Sequence, residues 1–209
     1  MTPANKVTEI IKRLSKVYPN PKTALNYSNT LQLLIATILS AQTTDKLVNL
    51  ITPALFKKFK TVHDFASATV EEIDNEIKRV NFHNNKARSI KLATIMIIEK
   101  FGGEVPQNMA DLDSLPGVAR KTANVVLGQA FGISEGIVVD THVMRLSQKL
   151  RLTDKKNPVK IEQDLMKIVP KNKWIDFPNL LVNFGREYCP ARPHKCDKCP
   201  LGDLCPDSL

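Results

Sequence analysis

All four cysteines of the chain lie in its last 21 residues, close enough together to bind a metal. They are separated by six, two and five residues and are Cys189, Cys196, Cys199 and Cys205. Disulfides are one alternative, but nothing else in the sequence indicates secretion. Zinc is another, with His194 as a conceivable ligand, although zinc ribbons usually carry two Cys-x2-Cys pairs and this segment has one. Uneven spacing and neighbouring prolines favour an iron–sulfur cubane over both alternatives.

A second segment combines a tight turn with positive charge and reads LPGVARK over residues 115–121. Pro116 and Gly117 predict a turn whose backbone N–H groups stay unpaired, and an apolar helix follows. The N-terminus of that helix, with Arg120 and Lys121 beside it, predicts a docking site for a phosphate group. An ordinary helix–helix connection is the alternative interpretation.

Lys121 is also a candidate nucleophile. A partly desolvated lysine beside an arginine at a helix N-terminus should have a lowered pKa, and its neutral amine can attack C1′ of a sugar to form a Schiff base. Such chemistry needs a carboxylate to accept protons and to stabilise the developing positive charge. Asp140 is the best candidate, although an aspartate before a helix commonly serves only as its N-cap. Spacing along the sequence does not bring residues 121 and 140 together.

The elements that must position these residues are predicted to be helices. Apolar residues recur every three or four positions in the stretches 7–17, 31–50, 90–101, 122–131 and 161–169. Thr69 with Glu72 predicts a capping box, and Asn157 before Pro158 predicts another helix start. Only residues 137–139 look β-like, and they are too few to build a sheet. The predicted fold class is all-α.

Composition limits the kind of protein this is. Hydrophobic residues make up 43% and charged residues 24% of 209 residues, as in ordinary globular proteins. The net charge of +9 points, weakly by itself, to a polyanionic partner. No apolar run reaches the roughly 18 residues of a membrane helix, and the N-terminus lacks the apolar centre of a signal peptide. We therefore expect a cytoplasmic protein with no membrane partner.

Two breaks in the helical pattern suggest domain boundaries. One is Pro19-Asn20-Pro21 and the other is the turn at 132–136. They predict a helical domain over residues 22–132, which contains the hairpin, and a discontinuous helical domain made of 1–21 and 133–209.

Taken together, these segments resemble the endonuclease III family of the helix-hairpin-helix superfamily. LLIATILSAQTTD (33–45), LPGVARKTANVV (115–126), VVDTHVMR (138–145) and the cysteine spacing stand in the family's order across nearly the whole chain. The resemblance implies two helical domains with a DNA-binding cleft between them, a helix-hairpin-helix motif, Lys121 as nucleophile, Asp140 as catalytic carboxylate and a [4Fe–4S] cluster on the four cysteines. It implies a DNA glycosylase and AP lyase that removes oxidised pyrimidines from duplex DNA and cleaves the strand by β-elimination. We also expect a monomer associated with the nucleoid.

The resemblance further assigns residues that touch DNA. A damaged base would be flipped into a pocket, Gln42 would enter the vacated space, and Phe82 would act as an apolar wedge opposite it. Asp45 and His142 fall where the family lines or supports the pocket. Phosphate contacts are implied for the hairpin and for a basic loop between the first two cysteines, through Pro116, Gly117, Val118, Ala119, Arg120, Arg192 and Lys195. Without the resemblance, we would interpret Phe82 as a core residue, Gln42 as a surface amide and His142 as a buried structural histidine.

The sequence departs from the family pattern at two places. Ala119 stands where the family commonly has glycine, and its methyl group is expected to loosen the phosphate contact slightly. The segment Asn81-Phe82-His83 replaces a Gly-Leu-Tyr type of wedge, which leaves the preferred lesion and opposite base open. The same chemistry on pyrimidine dimers is therefore an alternative. An adenine glycosylase is disfavoured because those relatives lack the hairpin lysine. A non-catalytic DNA-binding protein with a structural metal would share the hairpin without needing Lys121 and Asp140.

Overall fold

A computed structural model describes residues 2–206, and within that range the chain forms α-helices and no β-strand. The all-α prediction is confirmed. No helix in this range is long and apolar enough to cross a membrane. The α-helices are α1 Pro3–Val17, α2 Thr30–Ser40, α3 Asp45–Lys58, α4 Val62–Ser67, α5 Val70–Ile77, α6 His83–Phe101, α7 Met109–Asp113, α8 Arg120–Val126, α9 Thr141–Lys149, α10 Pro158–Ile168 and α11 Asp176–Glu187.

The chain packs as two compact units. One is Ala24–Ile133, and the other consists of the segment up to Thr23 together with the segment from Ser134 onward. Each has its own apolar core. In the first unit α2 is central, since all seven residues 33–39 are buried, as expected for a helix that is apolar on every side. In the second unit α1 and α11 pack together, and both α1 and α10 have a proline in their first turn.

The predicted helix starts are confirmed. The hydroxyl of Thr69 accepts from the Glu72 N–H and the Glu72 carboxylate accepts from the Thr69 N–H, which together form the capping box. The Asn157 side chain accepts from the N–H groups of Val159 and Lys160 at the start of α10.

One predicted helix is wrong in its extent. The stretch 31–50 is two helices, because the chain breaks after Ala41 and restarts at Thr44, whose hydroxyl caps α3. The apolar spacing runs through the break because α2 and α3 contribute to the same core. The stretch 122–131 is helical throughout, but a π-helical turn, Leu127–Phe131, replaces the α-helix after Val126.

Candidate functional site

The hairpin turn is fixed by its glycine. Gly117 has a φ of +80°, and the Val118 N–H donates to the Leu115 carbonyl over 3.0 Å, as in a turn with proline second and glycine third. A Cβ on Gly117 would lie 2.7 Å from the Ser89 Cβ, so the position also leaves no room for a side chain. The expectation that all N–H groups of the turn stay unpaired is wrong for Val118, whose N–H closes the turn.

Helix α8 begins directly after this turn without a side-chain cap. Its N-cap is Ala119, at a φ of −104° that any residue can adopt, so the alanine causes no backbone strain. Arg120 and Lys121 form the first turn, and both are exposed. The expected partial desolvation of Lys121 is therefore wrong for the protein without DNA. What the first turn offers a ligand is positive charge and the helix N-terminus.

Asp140 precedes α9 and caps it. Its Oδ1 accepts from the Val143 N–H over 2.8 Å, and the side chain is half-buried. The capping role weighed from sequence is confirmed, and it fixes the carboxylate in one position. Asp140 belongs to the unit that begins at Ser134, whereas Lys121 belongs to the unit Ala24–Ile133.

His142 lies in the first turn of α9 and is half-buried. Its Nδ1 is buried with no hydrogen-bond partner, close to Gly185 of α11, where a Cβ would lie 2.9 Å from that nitrogen. Asp45 is the first residue of α3 and is half-buried. Contacts of these two residues with a base stay predictions.

No disulfide joins the four cysteines in the structure, and all four line one cavity. Leu146 and Phe184 contribute apolar surface to the same cavity. Burial raises the pKa of the Cys199 thiol, and the three neighbouring sulfurs raise it further. Within residues 2–206 no three metal-binding side chains converge closely enough to hold a metal ion.

Arg145 of α9 is a site residue that the sequence did not reveal. Its Nη2 donates to the Cys189 carbonyl over 2.7 Å, and its Nη1 lies 3.8 Å from the Cys189 Sγ. The guanidinium thus ties the first cysteine to the helix that Asp140 caps. Its signal in the sequence was only its position in VVDTHVMR, which does not indicate a partner 44 residues away.

The loop between the first two cysteines is basic and open to solvent. Arg192 and Lys195 are exposed, and with His194 and Lys198 they line a surface groove. The Arg192 carbonyl lies 2.9 Å from the His194 Nδ1, a contact within the loop itself.

Gln42 and Phe82 share an unusual backbone conformation. Among residues 2–206, only these two and Arg151 combine a side chain with a positive φ, at +54° for Gln42 and +58° for Phe82. The Phe82 side chain is 59% exposed, which rules out the core interpretation. Gln42 is exposed in the loop between α2 and α3.

Two further residues, both missed from sequence, connect these positions. Asn81 Nδ2 donates to the Gln42 carbonyl over 2.5 Å. Lys86 is 7% exposed, and its Nζ donates to the carbonyls of Leu39 and Ala41 and to the Thr43 hydroxyl; burial lowers the pKa of this lysine. The sequence does contain a signal for the burial of Lys86. This lysine lies four positions before Ile90, in line with the buried residues of α6.

Comparison with known proteins places this geometry in context. Residues 35–171 match the family model described as "HhH-GPD superfamily base excision DNA repair protein". The chain is 49% identical to endonuclease III of Synechocystis sp., over 97% of this chain and 93% of the relative. It is 41% identical to endonuclease III of Escherichia coli, over 94% and 93% of the two chains. A solved structure of a trapped endonuclease III–DNA covalent intermediate superposes with a TM-score of 0.92 at 40% identity, covering 100% of this chain and 98% of the other.

Proposed function

The chain belongs to the endonuclease III family of the HhH-GPD superfamily, and from this premise we propose how its residues carry out the family's reactions. It is a DNA N-glycosylase with AP lyase activity, an enzyme of base excision repair whose partner is duplex DNA. One observation carries the proposal at the level of residues. The exposed Lys121 stands in the first turn of a helix that no side chain caps, directly after a glycine turn.

Lys121 is the proposed nucleophile. Its neutral amine attacks C1′ of the damaged nucleotide, the bond between C1′ and the base nitrogen breaks, and the base leaves with a proton. The sugar ring opens to leave a Schiff base between Nζ and C1′. Loss of a C2′ proton then expels the 3′ phosphate by β-elimination, and water releases the lysine. Lys121 is exposed in the protein without DNA, so its amine can reach a bound nucleotide.

Asp140 is the proposed carboxylate partner on the same nucleotide. Its capping bond to the Val143 N–H holds the side chain in place and leaves its second oxygen for the reaction. A fixed carboxylate can stabilise the positive charge that develops on the sugar and can accept a proton.

The DNA contacts are proposed to come from three segments. Residues 116–120 hold a phosphate at the start of α8, where the helix dipole favours an anion. Arg192 and Lys195 contact the DNA backbone, and a net charge of +9 favours such contacts. Gln42 and Phe82 fill the space that a flipped base leaves, and Asp45 and His142 contribute to the pocket that receives the base.

The four cysteines are proposed to hold a [4Fe–4S] cluster. Cysteine thiolates are the ligands that such clusters use, and all four cysteines of the chain would serve as ligands here. Four cysteines that line one cavity and form no disulfide support such a cluster. Their uneven spacing, with a single Cys-x2-Cys pair, favours it over zinc. The cluster would supply structural support for the loop that carries Arg192 and Lys195, and no step of the base-excision chemistry requires it.

Oxidised pyrimidines are the proposed substrates, acted on by a monomer at the nucleoid in the cytoplasm. Pyrimidine dimers are the second candidate, because Asn81-Phe82-His83 departs from the wedge typical of relatives.

Borohydride trapping tests the proposal. Duplexes would carry a single thymine glycol, a pyrimidine dimer, an abasic site or no lesion, and borohydride would reduce any Schiff base to a stable adduct. We expect a covalent adduct on the thymine glycol and abasic duplexes and none with Lys121→Gln. Lys160→Gln, which removes another exposed lysine from the first turn of a helix, should trap normally.

Each other outcome has a definite meaning. Trapping on the dimer instead of thymine glycol would replace the substrate and keep the chemistry. An adduct that persists in Lys121→Gln would overturn the nucleophile. No adduct on any duplex would favour a non-catalytic DNA-binding protein.

A further inference from the structure

The loop of Gln42 and the turn of Phe82 come from distant parts of the sequence, yet side chains join them directly. Asn81, the residue before Phe82, donates through Nδ2 to the backbone carbonyl of Gln42. Residues 39–43 and 81–86 both belong to the unit Ala24–Ile133. This hydrogen bond therefore links the backbone at Gln42 to the residue before Phe82. The side chains of Gln42 and Phe82 take no part in it and remain exposed.

Lys86 makes the second connection. Its backbone N–H donates to the Phe82 carbonyl over 3.0 Å, in the first turn of α6. Its Nζ lies 2.8 Å from the Leu39 carbonyl, 2.6 Å from the Ala41 carbonyl and 3.1 Å from the Thr43 hydroxyl. These three acceptors use all three ammonium donors, and they lie on both sides of Gln42. Since Lys86 is buried, it is not available to contact a phosphate.

The backbone at both positions requires such support. A residue with a side chain is disfavoured at positive φ, and it stays there only when its surroundings fix it. Gln42 and Phe82 are both in this conformation, and neither has a side-chain cap or a buried ring to explain it. The bonds from Asn81 and Lys86 are what the structure provides at these two places.

We propose that Asn81 and Lys86 form a bracket that holds Gln42 and Phe82 as one preorganised element for opening the base stack. The bracket consists of the Asn81 and Lys86 side chains and the carbonyl and hydroxyl groups they bind. Asn81 and Lys86 are positioning residues, which act through Gln42 and Phe82. The proposal rests on the proposed function, because it assumes that these two side chains enter DNA.

With the bracket in place, the conformational entropy of ordering Gln42 and Phe82 is lost when the protein folds and not when it binds DNA. Extruding a base from a duplex is unfavourable, and side chains that replace its stacking help only if they are already in position. Without the bracket, each segment would relax to a less strained backbone and would have to be reordered on DNA. The bracket should therefore matter where a base must be unstacked and much less where no base is present.

The test compares two reactions that share Lys121. Single-turnover rates would be measured for excision of thymine glycol paired with adenine and for strand cleavage at an abasic site. We expect Asn81→Ala to slow excision about tenfold and to slow cleavage of the abasic duplex less than about threefold, because only the first requires a base to be unstacked. Asn81→Ala should thus lower the ratio of the excision rate to the rate of abasic-site cleavage, and Lys86→Met should lower this ratio too. Asn81 is exposed, so its variant keeps the test valid if Lys86→Met fails to fold.

Lys91→Met is the matched control. Lys91 also lies on α6, and its Nζ donates to the carbonyls of Ala66 and Ala68 at the end of α4, away from Gln42. Its loss should lower stability without changing the ratio of the two rates. Fluorescence of 2-aminopurine beside the lesion, measured in the Lys121→Gln background, should increase on binding and should increase less when Asn81→Ala is added.

Two outcomes separate the bracket from its premise. If Gln42→Ala and Phe82→Ala leave the ratio unchanged, the assignment of these side chains to the base stack is wrong. If Gln42→Ala and Phe82→Ala lower the ratio but Asn81→Ala does not, Gln42 and Phe82 do enter the base stack, and the proposal that Asn81 and Lys86 position them is wrong. A tenfold loss on both substrates with Asn81→Ala would also overturn it, since that result indicates a general structural role.

Discussion

Helices α8 and α9 each have a residue proposed for catalysis at the N-terminal end, but the two N-termini are built differently. Helix α8 follows Ala119, which has no side-chain oxygen, and its first turn exposes Lys121 to solvent. Helix α9 follows Asp140, whose carboxylate accepts from the Val143 N–H and is half-buried. The first N-terminus is left for an external anion, whereas the second is satisfied by its own chain. One helix start can thus bind DNA while the other fixes a reactive group.

Replacing Asp140 separates its two roles and has the largest expected effect. Asp140→Asn keeps an oxygen that can cap α9 but removes the negative charge, so single-turnover excision should fall on the order of 10²–10⁴-fold with little loss of stability. Asp140→Ala should show the same kinetic loss and should also lower the free energy of unfolding by about 1 kcal/mol. Rapid-quench kinetics and urea denaturation would measure the two effects.

Asn157→Ala is the control for the cap alone. Asn157 caps α10 through two backbone N–H groups and has no assigned part in the reaction. Its loss should lower stability by a similar amount and leave excision unchanged. An Asp140→Asn enzyme with normal single-turnover rates would restrict Asp140 to capping.

The sequence predicted local backbone features better than contacts between distant residues. The glycine at 117 and the cap at 140 depend on local rules of φ and hydrogen bonding, so they could be read from a few residues. The partners of Arg145, Lys86 and Asn81 lie about 40 or more positions away along the sequence. A single sequence does not encode such contacts as a pattern.

Lys121 shows where a local rule failed. Partial burial of the first turn of α8 is the expectation from sequence, because a shielded amine is a better nucleophile. The structure leaves Lys121 exposed in the first turn of α8, before the buried Ala123 and Asn124. The expectation of a shielded lysine is thus wrong for the protein without DNA.

An aspartate at the N-cap of α8 should make its N-terminus resemble that of α9, which is closed by its own carboxylate. Ala119→Asp places a carboxylate at the N-cap, which should raise the free energy of unfolding by about 0.5–1 kcal/mol. The same charge occupies the place proposed for a phosphate, so affinity for an abasic duplex should fall about tenfold or more. Denaturation and fluorescence anisotropy at fixed salt would show the two opposite changes.

Ala119→Ser distinguishes capping from charge. Its hydroxyl can cap α8 without repelling a phosphate, so it should stabilise the protein and weaken DNA binding less than Ala119→Asp does. Equal affinities for all three proteins would mean that no phosphate docks at this helix start.

The smallest expected effect comes from Ala119→Gly, which restores the residue common in the family. Ala119 lies at a φ of −104° and ψ of 167°, so the alanine is unstrained, and glycine would add freedom to the unfolded chain. Glycine is also a better N-cap than alanine, and the two effects oppose each other, so the free energy of unfolding should change by less than about 0.5 kcal/mol. If the methyl group keeps the backbone away from the phosphate, removing it should raise DNA affinity, but by less than about threefold, because van der Waals contacts of one carbon are weak. Titrations of an abasic duplex with both proteins at the same salt concentration would measure the change. A loss of affinity would instead mean that the alanine holds the start of α8 in the conformation that binds DNA, and the open N-terminus would then depend on rigidity as well as on the missing cap.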